Sequence, residues 1–132
     1  MKPPIKVRWV ERLRSEQDEQ GRDMLRDADG KLCCLGVLTE IAADEGVVER
    51  LGVGGSNAFA YGVRDSKGVI VSAESAILHP AVAEWAGLPR RPSVEFDDGE
   101  VDEWEGRVAD LDELNDGGMT FSQIADLIER HL

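Results

Sequence analysis

Turn signals constrain this chain more than any other feature. Asp27-Ala28-Asp29-Gly30, Asp65-Ser66-Lys67-Gly68, Asp97-Asp98-Gly99 and Asn115-Asp116-Gly117-Gly118 interrupt it, and Gly21, Gly46 and Gly87 add further breaks. Asp and Asn side chains bond their own backbone nearby, and Gly supplies the positive φ that tight turns demand. No apolar run between these breaks approaches the ~20 residues that a bilayer-crossing helix needs.

Between the turns the apolar spacing switches between helical and strand periods. Ile5, Trp9, Val10 and Leu13 predict a helix over 5–17, entered through Pro3 and Pro4. Cys34, Val37, Leu38 and Ile41 predict a second, ending between Ala42 and Glu45. His79-Pro80 opens a short third helix, with Val82, Ala83 and Trp85, which Gly87 closes. Val108, Leu111 and Leu114 mark another of about three turns. Thr120-Phe121-Ser122-Gln123 is a capping box, with Met119 placed to staple onto Ile124, ahead of the stripe Phe121, Ile124, Ala125, Leu127 and Ile128. Strand periods predict hairpins from Met24–Arg26 to Lys31–Cys33, from Phe59–Val63 to Val69–Val71, and from Val94–Phe96 to Glu100–Val101. Residues 46–58, rich in Gly, read as a loop. The expected fold is α+β: one domain over residues 1–132, with four to five short helices packed on small antiparallel β-hairpins. With 42% hydrophobic residues in 132, the chain can bury a core without disulfides or metal.

Charge narrows the function classes. The formal net charge is −12, and residues 95–116 hold eleven carboxylates against Arg107 alone. A field of this sign repels nucleic acid and attracts basic partners, so direct nucleic-acid binding is not expected. The acidic run reads first as a solvated face. Its sharper reading is a docking surface for a basic protein, built from Asp97, Asp98, Glu100, Asp102 and Glu103, with Trp104 as apolar anchor. Arg14, Arg22, Arg26 and Tyr61 are the groups that a pocket for a small nucleotide would need.

Candidate chemistry is sparse. Cys33 and Cys34 are adjacent, so they do not pair with each other without strain and read as reduced thiols. At a helix N-terminus such a thiol becomes a nucleophile, with Gln20 as oxyanion donor and His79 or His131 as base. Leu32, Leu35, Val37 and Leu38 surround the pair, and core packing is the plainer reading. Zinc spacing is missing. An EF-hand placed with Gly117 at its sixth position puts Leu114 where an oxygen ligand is required. The Gly52-Val53-Gly54-Gly55 loop lacks the lysine of a P-loop. These readings assign no catalytic residue, metal or cofactor. The N-terminal residues carry no apolar signal core, and a cytoplasmic location is expected.

Three blocks taken together carry a resemblance. They are Trp9 to Leu13 with Gln20-Gly21 and Leu25-Arg26, then Leu32-Cys33-Cys34-Leu35-Gly36-Val37-Leu38, and Leu114-Asn115-Asp116 through Phe121, Ile124-Ala125-Asp126 and Ile128-Glu129. With Pro80 to Leu88, the chain resembles a family of small proteins encoded by tailed bacteriophages and prophages. That resemblance implies an accessory protein in the cytoplasm of an infected bacterium and brings no catalytic residues. The resulting expectation is a non-enzymatic protein that binds and modulates or inhibits a host factor, counter-defence being one form. Sequestration of a host signalling nucleotide and a cysteine-dependent enzyme are the alternatives, and oligomeric state stays open.

Overall fold

In a computed structural model, the structure describes residues 1–52, 59–95 and 108–132. The order of elements is α1 (Pro3–Arg14), α2 (Cys34–Asp44), β1 (Glu49–Gly52), β2 (Phe59–Arg64), β3 (Ile70–Glu74), α3 (Pro80–Ala86), β4 (Ser93–Glu95), β5 (Val108–Asp110), α4 (Leu111–Asp116) and α5 (Phe121–His131). Among the described residues these make five helices, a three-stranded antiparallel sheet of order β1-β2-β3 and a two-stranded β4-β5 sheet, an α+β fold.

Helix α2 is the centre. Every residue from Cys34 to Ala42 is buried, as expected of a helix packed on all sides. Helix α1 lays Ile5, Trp9, Val10 and Leu13 toward α5 and α2, while α5 returns Phe121, Ile124, Ala125, Leu127 and Ile128. Gly36 sets how closely the chain packs here: a Cβ at this position would lie 1.9 Å from the Leu25 carbonyl oxygen. No larger residue fits without moving backbone.

Local signals placed most ends. Helix α1 stops at Arg14, short of the expected 5–17, because Ser15 turns its N–H and hydroxyl onto the Arg12 carbonyl and Glu16 takes a left-handed φ of 61°. The capping box of α5 is present in both directions. The hairpin expected over residues 24–33 reduces to isolated bridges, Arg26 to Leu32 antiparallel and Gln20 to Leu32 parallel. Two expectations need correction. Residues 49–52, within the supposed loop, form β1, a strand too exposed to show alternation. Val108 begins a strand rather than a helix: β4 pairs with Val108–Asp110, and α4 starts only at Leu111, whose N–H bonds the Pro92 carbonyl at 2.8 Å. The predicted return strand at Glu100–Val101 lies outside the described residues. No helix among the described residues is long and apolar enough to cross a membrane.

Candidate functional site

The cysteine block and the terminal block meet in a buried polar knot. Asn115, with no solvent exposure, accepts from the Cys34 N–H (3.1 Å) and the Gln20 amide (2.9 Å) and donates to the Gly21 carbonyl (2.8 Å). Gln20 also donates to the Met119 carbonyl (2.7 Å) and accepts from the Phe121 N–H (3.2 Å). The Trp9 indole donates to the Cys34 carbonyl at 3.0 Å. Each donor or acceptor here has a partner within the protein, so the knot fixes three segments together and leaves no group directed at a substrate.

The thiols fit the same account. Cys33 is the N-cap of α2, its sulfur accepting from the Gly36 N–H at 3.4 Å. That is the helix terminus expected to activate it, yet burial pushes this thiol up to about 11. Cys34 is wholly buried, which drives its thiol well above its ordinary range. At neutral pH both keep their protons, and Gln20, the supposed oxyanion donor, is engaged elsewhere. His79 is also structural. Its Nδ1 accepts from the Ala81 N–H at 3.0 Å as the N-cap of α3, so in the neutral ring Nε2 carries the hydrogen and donates to Ser72 Oγ at 2.7 Å. A base toward Ser72 would need a lone pair at that nitrogen.

The charged cluster missed by sequence reasoning is centred on Glu40. This nearly buried carboxylate receives the Tyr61 hydroxyl at 2.7 Å, Arg50 Nε at 3.0 Å and Arg26 Nη1 at 3.5 Å. Arg50 also holds Asp44 at 2.7 Å, and Arg12 forks onto Asp18 at 2.8 and 3.0 Å. Burial, reinforced by the bond to Glu40, holds the Tyr61 phenol far above its usual range. The cluster clamps β1 and β2 onto α2. Its one sequence signal was an acid at position 40 between Leu38 and Ile41, on a helix whose one other charged residue is the terminal Asp44.

Of the four residues named for a small nucleotide, Arg26 and Tyr61 meet, but at Glu40. Arg14 sits across the molecule's α1–α5 seam with Asp126 and Glu129, both at 2.6 Å. Arg22 lies exposed beside Gly118. A groove of about 620 Å³ opens between the end of α2 and the sheet, but its charged residues are already paired, Glu49 with Arg64 at 2.6 Å and Arg50 with Glu40 and Asp44. Asp97, Asp98, Glu100, Asp102, Glu103 and Trp104 lie outside the described residues. Of the acidic run that is described, Asp110, Asp112 and Glu113 gather round Arg91 at 3.0, 3.3 and 3.5 Å. Trp85, one of the residues that mark α3, packs half-buried against the core and donates to Glu45. The described residues contain no group of three or more His, Cys, Asp or Glu side chains that could hold a metal ion.

A family model matches residues 1–132. The chain belongs to DUF8296, a domain of unknown function. No curated protein and no solved structure matches it. In this DUF8296 chain, at least eight arginines on described residues are ion-paired: Arg8 with Glu45, Arg12 with Asp18, Arg14 with Asp126, Arg26 and Arg50 with Glu40, Arg64 with Glu49, Arg90 with Glu74 and Arg91 with Asp110. Six carboxylates and one arginine fall within residues 96–107, leaving 21 carboxylates and 14 basic side chains on the rest. Most of the described arginines are therefore paired with the protein's own acids, largely at the surface, and the surplus is negative.

Proposed function

We propose that this chain is a non-enzymatic binding protein that captures a basic partner protein and modulates or blocks it. The observation that carries the reading is the internal pairing of the arginines. It leaves an anionic ligand few cations to recruit and presents excess carboxylates to a positive surface. The burial of both thiols and the capping role of His79 support a role without covalent chemistry. On this reading Asp97, Asp98, Glu100, Asp102 and Glu103 face the partner, and Trp104 supplies an apolar anchor at its centre. The resemblance of the sequence blocks to phage-encoded proteins supports, as part of this proposal, an encounter in the cytoplasm of an infected bacterium, with a host factor as partner and inhibition of defence as one form.

The test is affinity capture from the bacterial host by the tagged chain and by a variant with Asp97, Asp98 and Asp102 changed to Asn and Glu100 and Glu103 to Gln. The wild type should retain a basic protein, more weakly as salt rises, and the variant should lose it at physiological salt. Equal retention by the two would remove the acidic segment from the mechanism.

A further inference from the structure

Five large apolar side chains are exposed among the described residues, and three of them are consecutive: Val69 at 57%, Ile70 at 44% and Val71 at 59%. They lead into and occupy β3, which is an edge strand. Strand β2 pairs with it on one side, and among the described residues no strand pairs with it on the other. Just past its end, the Ser75 carbonyl accepts from the Leu25 N–H. An edge strand leaves alternate backbone N–H and C=O groups unpaired, and proteins shield such edges with proline, charge or a bulge. Residues 69–73 contain no proline and no charge. Their one device is the bulge at Val71, where the register passes from Val63↔Ser72 to Arg64↔Ile70.

We propose that this edge pairs antiparallel with the same strand of a second copy, about a twofold axis, joining the two three-stranded sheets into one. Charge selects that occupant. A chain of net charge −12 repels itself over most approaches. Around β3 the charges cancel: Arg64 pairs with Glu49, Arg90 with Glu74, and the adjoining turn holds Asp65 with Lys67. A basic partner finds no net attraction here. A second copy finds an uncharged apolar strand equal to its own, and a twofold contact of this kind is self-complementary and closed.

Sedimentation velocity over a concentration series tests this with the wild type and Val71→Lys, whose fold is checked by circular dichroism. Val71 is exposed, so the variant keeps its core. The wild type should pass from monomer to dimer, more readily as added salt screens the remaining repulsion. Val71→Lys places like charges across the twofold seam and should weaken association by about tenfold or more. Oxidative cross-linking then locates the contact: Val71→Cys or Ala73→Cys should form a covalent dimer, while Val7→Cys, equally exposed on α1, should not. The buried Cys33 and Cys34 do not compete. A wild type that stays monomeric throughout, a Val71→Lys dimer as tight as the wild type, or cross-linking at Val7 as ready as on β3 would each overturn the proposal.

Discussion

Asn115 bonds three chain segments through one primary amide, and its removal strands partners that water cannot reach. The Cys34 N–H and the Gly21 carbonyl would be left buried, each at about 1–3 kcal/mol. Asn115→Ala should therefore lower stability by about 3 kcal/mol, read as a shift in urea midpoint with the slope unchanged. The sequence marks Asn115 only as a turn residue, because its partners lie 81 to 95 positions away. His79 gives a pH signature. Burial, then the charge of Arg90, lowers its imidazole below the ordinary value, with Glu74 opposing. As pH falls from about 6.5, the unfolded chain takes up a proton that the folded chain refuses, so stability declines until the folded histidine itself titrates. In His79→Asn the amide oxygen can still cap α3 but does not titrate. Comparing urea midpoints of the two proteins between about pH 7 and 5.5 should show a steeper fall for the wild type. Parallel lines would mean His79 is not buried neutral.

At the scale of elements, legibility followed the range of the signal. Helices α2, α3 and α5 were readable because caps, Pro80, Gly87 and the apolar stripe act within a few residues. Strands β1 and β5 were not, since each is defined by pairing with β2 or β4 and shows no alternation of its own. The Glu40 clamp was hidden for a similar reason: Arg50 and Tyr61 reach it only once the sheet has docked on α2. Removing that carboxylate leaves Arg26 and Arg50 without their shared counter-charge beside the core. Glu40→Ala should cost about 3 kcal/mol, less than a fully buried pair would at the upper end, because both arginines are partly exposed. Amide exchange should quicken first in β2, ahead of α5, whose packing does not involve the clamp. Uniform acceleration across both elements would show that sheet and helices open as one unit.

For the whole molecule, the cysteines test cooperativity. They sit where α2 meets the Asn115 knot, with the Cys34 thiol donating to the Leu111 carbonyl and Trp9 on its peptide oxygen. Reaching either sulfur requires the core to part, so native alkylation should be slowed by the global unfolding constant, of order 10³ or more for a stable domain. Asn115→Ala should speed it by the factor that its loss of stability dictates. Alkylation at the rate of an unfolded peptide would show that the Cys block opens locally. The fold class and the closed character of this block were legible in advance. The direction in which the arginines would turn was not, since ion pairing depends on tertiary neighbours. Trp9 carries a spectroscopic consequence. Its ring is wholly enclosed and its N–H is fixed to a peptide oxygen of the neighbouring helix, so in a variant with Trp85 and Trp104 changed to Phe its fluorescence should be blue-shifted relative to a hydrated indole, and the shift toward red on unfolding reports the separation of α1 from α2 without any label.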